Sequence, residues 1–299
     1  MSHETRKGHG KRIAVAGATG RIGAALIAGL VDDDVDLVPL SRNTSREHIL
    51  GGLAATVVDF EKPHTLAKAL EGADKLFIAH GTSARQVENE IALIDAAVAS
   101  GVSHIVKVSV MGPPLRLHPF DWHREIEAHL ATCDIGYTLL RPTTFVDTLA
   151  RASSPVAQGS WGGSAGHGRV NLIDTRDVAD VARVALLEND DVHAQRAHHL
   201  SGPAAVTMAE VAAELSRQLG REVVYQHRHP VAQRDLLIGS GLTGMVADLL
   251  LGIELLIERS AQAETTATVT ELTGKPPRPF SLWIRENIAD FQQPLRSVR

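Results

Sequence analysis

The sequence has little cysteine, few aromatic residues and no surplus of positive charge. Its single cysteine, Cys133, excludes an intramolecular disulfide and a multi-cysteine metal site. Lysine and arginine number 30 against 35 aspartate and glutamate, for a net charge of −5, and aromatic residues make up 4% of the chain. Such a composition does not attract phosphate backbones or anionic lipid, so we expect neither nucleic-acid nor membrane binding.

Long uncharged apolar runs are also lacking. The most apolar stretch, 242–257, contains Asp248 and Glu254, which makes it a poor membrane span. We expect one helix over 236–258, and two interpretations stay open: a helix that forms a homodimer, or a lid over a pocket. No segment resembles a secretory signal, and the lone cysteine suits a reducing compartment, so we expect a cytoplasmic protein.

The 299 residues do contain a regular alternation of short β-branched runs and Ala/Leu-rich helical periods between residues 12 and 140. Strand, helix and strand repeated this often are typical of a parallel sheet with helical crossovers. The pattern predicts an α/β fold with a doubly wound parallel sheet. Farther along, Thr207 and Glu210 have the spacing of a capping box and predict a helix over 208–219.

The most informative motif is a glycine-rich turn between the first predicted strand, 12–16, and the following helix. Gly17 permits a tight strand-to-helix turn, Gly20 lets the backbone approach a pyrophosphate, and Gly23 permits close packing of helix and strand. Backbone amides and the helix dipole at this N-terminus favour an anion. The motif therefore predicts a Rossmann dinucleotide-binding site.

The second predicted strand distinguishes between the two nicotinamide dinucleotides. NAD sites place an acidic residue at its end, but here Asp36 lies at the strand's start and the end is Ser41-Arg42. A guanidinium pairs well with a phosphate, so Ser41 and Arg42 favour the 2′-phosphate of NADP(H). We assign residues 11–150 to the NADP-binding domain, with strands near 170–175 and 198–202 returning to it. A smaller substrate or lid lobe takes 151–170 and 203–299.

Several segments together resemble the NmrA-like branch of the atypical short-chain dehydrogenase/reductase superfamily. The resemblance covers nearly the whole chain beyond residue 10. The segments that carry it are Val15–Gly23, Asp59, Ile94–Val102, His104–Ser109, His123–Leu130, Tyr137–Pro142, Ile173–Ala179 and Thr273–Arg278.

This resemblance implies a role for residues that follow each strand of the predicted sheet. It places Gly17, Thr19, Gly20, Arg21, Ile22 and Gly23 at the pyrophosphate; Ser41 and Arg42 at the 2′-phosphate; Asp59 and Phe60 near the adenine; Ala79, His80 and Gly81 at the ribose and nicotinamide; Ser109, Val110 and Met111 at the nicotinamide pocket; and Pro142, Thr143, Thr144 and Phe145 on the substrate side.

One departure from the superfamily concerns catalysis. Most members use a Tyr-x-x-x-Lys pair, but neither Tyr137 nor Tyr225 is followed by lysine four residues on. In the family register His123 occupies the lysine's place, with Glu127 one helical turn later, and Ser109 is the third candidate. His123 could bind the nicotinamide ribose or donate a proton to substrate. A surface histidine with an ion-pairing neighbour is the competing interpretation.

We therefore expect an NADPH-dependent reductase of a small electron-poor compound: a quinone, ketone, enone or imine. Two alternatives remain at this point: a non-catalytic NADP(H) sensor, and a biosynthetic enzyme that catalyses a redox-neutral step on the same fold. We expect no metal, because His193, His198 and His199 have no carboxylate or cysteine to complete a ligand set.

Overall fold

The structure is a computed structural model that describes residues 10–42, 52–112, 118–188 and 194–292. By internal contacts the chain divides into two compact units. The first contains Met1–Val110, Trp122–Arg141 and Val178–His198, and the second contains Met111–Asp121, Pro142–Asp177 and His199–Arg299.

The main sheet has seven strands in the order β10-β6-β5-β4-β1-β2-β3. The register is parallel for the five pairs β1/β2, β1/β4, β2/β3, β4/β5 and β5/β6. The strands are β1 Lys11–Ala16, β2 Val35–Ser41, β3 Thr56–Val57, β4 Lys75–Ile78, β5 His104–Val108, β6 Gly136–Pro142 and β10 Arg196–Leu200. This order, with its reversal at β1 and β4, confirms the predicted doubly wound α/β fold.

Helices connect these strands and bury apolar faces against the sheet. The central strands β4 and β5 are buried at every residue, as expected where helices cover both faces of a parallel sheet. In the first helix, Ile22, Leu26, Ile27 and Leu30 form the buried face at helical spacing. The helices are α1 Arg21–Leu30, α2 Pro63–Leu70, α3 Gln86–Ala99, α4 Phe120–Leu130 and α6 Thr175–Leu187.

The second unit contains two small sheets and most of the remaining helices. Its core includes Trp161, Leu215, Trp283 and Phe291, which are buried together. Its elements are β7 Thr144–Phe145, a 3₁₀ helix Val146–Ala152, α5 Ser153–Ala157, β8 Gly162–Gly163, β9 Arg169–Ile173, β11 Ala205–Thr207, α7 Met208–Leu219, β12 Gln226–His227, α8 Pro230–Gly239, α9 Gly244–Glu258, α10 Thr268–Thr273, α11 Phe280–Glu286 and a 3₁₀ helix Ile288–Phe291.

The predicted strand near 170–175 does not return to the main sheet, so that expectation is wrong. Strand β9 instead forms a three-stranded sheet, parallel to β7 and antiparallel to β11. It is held there by partners distant in the chain, including the bond from the Asn171 amide to the Gln262 carbonyl at 2.8 Å. The predicted strand near 198–202 does join the main sheet, as β10 beside β6.

The single helix expected over 236–258 is also wrong, because the structure has two. Helix α8 ends at Gly239, and Thr243 caps α9 by accepting a hydrogen bond from the Val246 amide at 3.4 Å. The capping box at Thr207 and Glu210 is confirmed: both reciprocal hydrogen bonds are present at the start of α7. Within the described residues, no helix combines the length and apolarity that a membrane crossing requires.

Candidate active site

The turn between β1 and α1 has no room for a side chain at two of its positions, Gly17 and Gly23. Gly17 adopts a φ of +85°, and a Cβ placed on it would lie 2.1 Å from the Ala79 carbonyl oxygen. A Cβ on Gly23 would lie 2.2 Å from the Gly17 carbonyl oxygen. The Gly20 amide donates to that same carbonyl at 2.8 Å, which closes the turn. These contacts bring helix and strand close together.

The N-terminus of α1 is open to an anion. Gly20 is the N-cap and has no side chain to satisfy the first amides, and the first turn contains no acidic residue. Thr19 and Arg21 beside it are exposed. Because unsatisfied amides and the helix dipole both favour negative charge, this turn fits a diphosphate.

Alanine substitution at Gly23 tests the importance of the close approach. We expect Gly23→Ala to lower the free energy of unfolding by about 1–3 kcal/mol, since the new methyl group would overlap backbone. Gly29→Ala is the matched control on the same helix: its Cβ would meet only Arg183 Cδ, at 3.6 Å. Urea denaturation of both variants measures the difference. Equal losses would contradict the assignment of a tight turn.

A cleft of about 740 Å³ lies at the ends of β2 and β3, within the first unit. Arg42, which follows β2, borders it together with Asp59 and Phe60, which follow β3. Arg42 is exposed, and Ser41 before it is buried. The remaining walls come from Val57, Val58, Glu61, Lys62, Thr65, Ser83, Ala84, Arg85 and Asn89.

Asp59 and His80 hold well-defined positions near this cleft. Asp59 Oδ1 accepts from the Glu61 amide at 3.0 Å, and this bond, together with Lys62, lowers the pKa of the Asp59 carboxyl. His80 Nδ1 lies 2.6 Å from the Gly81 carbonyl oxygen and must donate to it, since a carbonyl only accepts. Its Nε2 then accepts from Asn89 Nδ2 at 3.2 Å. Burial lowers the pKa of His80, so this imidazole is neutral.

Glu127 has other partners than the predicted His123. The Arg141 guanidinium donates two hydrogen bonds to its carboxylate, from Nε to Oε1 at 3.1 Å and from Nη2 to Oε2 at 2.5 Å. The Ser109 hydroxyl also donates to Oε1. The Glu127 carboxylate raises the pKa of the Arg141 guanidinium. This network ties α4 to the ends of β5 and β6. Glu127 and Ser109 thus lie together as predicted site residues, but both are occupied by structural bonds.

His123 lies next to a buried ion pair. Its Nδ1 is 3.1 Å from Lys107 Nζ, and its Nε2 is 3.4 Å from Gln86 Nε2. Lys107 Nζ in turn lies 2.8 Å from Glu90 Oε2, and both of these charged side chains are inaccessible to solvent. Burial, reinforced by the positive charge of Lys107, lowers the pKa of His123 well below its ordinary value of 6.5. His123 is therefore neutral at physiological pH, which differs from a solvated surface histidine.

Lys107 and Glu90 are site residues that the sequence analysis did not identify. Each left a signal, because Lys107 interrupts a strand of otherwise apolar type, His104–Val108, and Glu90 lies on the buried face of α3 with Leu93 and Ala97. A charge placed on a buried face requires a partner. Two such charges in neighbouring elements could have been paired on that ground.

The predicted substrate-side residues Pro142–Phe145, and Met111 of the predicted nicotinamide pocket, belong to the second unit. The Met111 amide donates to the Pro142 carbonyl at 2.8 Å, and the Met111 carbonyl accepts from Gln262 Nε2 at 2.6 Å. Gln262 Oε1 accepts from the Thr144 hydroxyl at 2.6 Å. Thr143 is buried, and Phe145 is half-buried at the end of β7. Gln262 thus organises this group, and nothing in the sequence pattern indicated it.

Comparison with known proteins identifies the family. Residues 17–190 match the model of a family described as NAD(P)H-binding. The NAD(P)H azoreductase of Xenophilus azovorans is 30% identical over 284 residues, which is 93% of this chain and 99% of the relative. The chain belongs to the NAD(P)H-binding family of oxidoreductases.

Solved structures place it further within this family. The NADPH-dependent quinone oxidoreductase of Escherichia coli, in complex with NADPH, superposes with a TM-score of 0.84 and 27% identity over 92% of this chain and 99% of that one. NmrA, a negative transcriptional regulator in complex with NADP, shares the fold alone, with a TM-score of 0.76 at 15% identity over 95% of this chain and 97% of its own. The predicted membership of the NmrA-like branch of the atypical short-chain dehydrogenases/reductases is confirmed.

An oxidoreductase of this family uses NADP(H), as the sequence predicted, and the observed residues fit that cofactor. Gly17 and Gly23 have no Cβ at positions where one would overlap backbone, so the turn stays tight. The uncapped amides at the N-terminus of α1 suit the diphosphate. The cleft beside Arg42 suits an adenosine carrying a 2′-phosphate. The individual contacts of Ser41, Arg42, Asp59, Ala79, His80 and Val110 remain predictions.

The described residues contain one group with the chemistry of metal ligands. Asp95, His129 and Cys133 place one ligand atom each within 4.8 Å of one another. His129 already pairs with Asp95 at 2.7 Å, and burial and Asp95 raise the pKa of the Cys133 thiol, which disfavours a thiolate. His193 lies outside the described residues. The expectation of no metal stays a prediction.

The lowered pKa of His123 makes stability depend on pH. Below about pH 6.5 the unfolded chain binds a proton at His123 and the folded protein does not. The contribution of His123 to the free energy of unfolding is therefore fully present above that pH and is lost as pH falls. We expect His123 to account for about 1.4 kcal/mol of lost stability at pH 5.5 relative to pH 7.5. His80 acts in the same direction.

Urea denaturation of wild type and His123→Gln at both pH values measures this contribution. The difference between the two pH values should shrink in His123→Gln. His129→Gln, on the same helix, is the control for the loss of an imidazole from α4. An identical pH dependence in wild type and His123→Gln would contradict a neutral, half-buried His123.

Proposed function

We propose that this oxidoreductase reduces a small electron-poor compound, such as a quinone or an azo compound, and that His123 donates the proton the substrate needs. The observation that carries the proposal is a neutral, half-buried imidazole next to the buried ammonium of Lys107. A histidine in this state holds a transferable proton without carrying charge. Ketones, enones and imines are further candidate substrates of the same electronic type.

The protein's own residues orient the reactants and manage the proton. NADPH, when bound, supplies the hydride. The glycine turn and the α1 N-terminus bind its diphosphate, and Arg42 pairs with its 2′-phosphate. Arg141 and Ser109 hold Glu127, and through it α4, so that His123 keeps its position. In this proposal Glu127 is a positioning residue rather than an acid.

The two tyrosines do not replace the missing Tyr-x-x-x-Lys pair in this proposal. Tyr225 lies in the second unit, where burial, reinforced by Glu254, raises the pKa of its hydroxyl well above the ordinary value. Tyr137 lies within β6. Reduction of a quinone or an azo bond demands mainly hydride delivery, so the absence of a Tyr-x-x-x-Lys pair is compatible with this function.

Oxidation of NADPH by the purified protein tests the function. We would follow nicotinamide absorbance with quinones, azo compounds, ketones, enones and imines, each with NADPH and with NADH. We expect turnover with at least one class and a preference for NADPH. Tight NADPH binding without turnover of any class would contradict the proposal and favour the non-catalytic sensor or the redox-neutral enzyme.

Three further assignments remain predictions. These are the substrate lobe at 151–170 and 203–299, a homodimer formed through the 242–257 segment, and a cytoplasmic location. Sedimentation at several concentrations tests the dimer, and a single monomeric species throughout would exclude it.

A further inference from the structure

Lys107 dictates which nitrogen of His123 carries the proton. An ammonium has three hydrogen-bond donors and no acceptor. Lys107 Nζ donates to the Val108 carbonyl at 3.0 Å, lies 3.1 Å from His123 Nδ1, and forms an ion pair with Glu90 Oε2 at 2.8 Å. Nδ1 must therefore accept. In a neutral imidazole the proton then resides on Nε2.

That Nε2 proton has no acceptor among the described residues. Among the described residues, the group within hydrogen-bond distance of Nε2 is Gln86 Nε2, at 3.4 Å, and this nitrogen donates to Glu90 Oε1 at 2.9 Å. If the amide were turned over, its oxygen would face the carboxylate of Glu90 at the same distance, and the two would repel. The N–H of His123 is thus left without an acceptor within the part of the chain that the structure describes.

We propose that Lys107 is the proton source behind His123: as Nε2 delivers its proton to the reduced substrate, Nδ1 takes one from the Lys107 ammonium. This inference rests on the proposed function. Lys107 acts through His123 and does not touch substrate, so it is a positioning residue with a transferable proton. Glu90 compensates its charge in the resting protein.

The step balances in atoms and electrons. The substrate gains two electrons with the hydride that NADPH supplies, and one proton from His123. The Nε2–H bond breaks and a bond from that proton to the substrate oxygen or nitrogen forms, while an Nζ–H bond breaks and an Nδ1–H bond forms. Lys107 is left as a neutral amine. A solvent proton entering at Nε2 returns the Nδ1 proton to Lys107 and restores the starting state.

The charges around His123 explain why a second proton donor is required. The groups that face it are Lys107 from β5, His80 after β4, and Gln86 on α3. Burial and the first two lower the pKa of His123, so the imidazolium is scarce at neutral pH. Without a relay, donation from Nε2 would create an imidazolate, which is a very poor product.

A comparison of two substrates tests the relay. Hydride addition to a quinone needs a proton, whereas addition to a cationic triarylmethyl dye yields a neutral product without one. Lys107→Arg keeps the positive charge, but arginine does not give up a proton. Lys107→Met with Glu90→Gln removes both charges together and avoids an unpaired buried carboxylate. Lys68→Met, an exposed lysine of the same unit, is the control.

We expect both Lys107 variants to lower the ratio of kcat with the quinone to kcat with the dye by about 100-fold, the size of a general-acid effect. Lys68→Met should leave this ratio unchanged. Thermal melting and NADPH titration show that each variant is folded. An equal loss with both substrates would show a merely structural role, and no loss with either would show that no relay exists. Both results overturn the inference.

The nitrogen chemical shifts of His123 provide an arm that does not depend on turnover. In the NADPH-bound wild type we expect the neutral Nε2–H tautomer, and in Lys107→Met/Glu90→Gln a new Nδ1–H population and a raised pKa of His123. If wild type reduces neither substrate, the proposed function fails and these spectra decide the inference. The inference is overturned if wild-type His123 is the Nδ1–H tautomer. It is also overturned if the tautomer in the double variant is the same as in wild type.

Discussion

His123→Ala should lower kcat for quinone reduction by about 100-fold or more, because a general acid contributes two to four orders of magnitude. The variant removes the imidazole that contacts Lys107 and leaves hydride delivery without the proposed proton donor. Binding of NADPH should change little, since the glycine turn and the Arg42 cleft do not involve His123. Steady-state oxidation of NADPH at saturating quinone measures the effect.

His129→Ala is the matched control for this experiment. It removes the same side chain from the same helix, but His129 lies at the surface and pairs with Asp95 at 2.7 Å. We expect kcat within about twofold of wild type, because surface ion pairs contribute little. If His123→Ala and His129→Ala lose activity equally, or neither loses any, His123 is not the proton donor.

Arg42→Ala should weaken NADPH binding about 10- to 100-fold while leaving NADH binding unchanged. A hydrogen bond to a charged group contributes about 1.5–3 kcal/mol, which corresponds to that range of affinity. The specificity arises because the 2′-phosphate is the only group by which the two cofactors differ. Arg42 borders the cleft with Asp59 and Phe60, where such a phosphate would lie. Fluorescence titration with both cofactors measures the two dissociation constants.

Lys68→Ala controls for the loss of one positive charge. Lys68 is exposed on α2 of the same unit and does not border the cleft. It should leave both affinities near wild type, apart from a small long-range electrostatic effect that salt screens. Equal weakening of NADPH and NADH by Arg42→Ala would mean that Arg42 contacts a part shared by the two cofactors.

The local pattern of the sequence was sufficient for the main sheet and for the dinucleotide turn. Alternating strands and helices predicted a doubly wound parallel sheet, and its strand order confirms it. Gly17 and Gly23 indicated close packing of β1 and α1, which the short Cβ distances show directly. Thr207 and Glu210 predicted the start of α7. Each of these features depends on neighbours within a few residues or on a regular period.

Side-chain and strand pairings between distant parts of the chain could not be predicted from local sequence patterns. Spacing put His123 and Glu127 on one face of a helix, but Glu127 pairs with Arg141 and Ser109 instead. Strand β9 pairs with β7 and β11 rather than with the main sheet, because strand pairing depends on how the second unit packs. Both outcomes depend on which element packs opposite, and helical spacing does not contain that information.

The sequence by itself determined the fold class, the glycine turn and the choice of NADP(H), because backbone conformation and local charge settle them. Only the tertiary structure decided the state of His123. It brings Lys107 from a strand and Glu90 from a helix into one solvent-free ion pair beside the imidazole. The proton position on His123 follows from that contact, since burial and a neighbouring charge, and not the residue type, control the pKa of an imidazole.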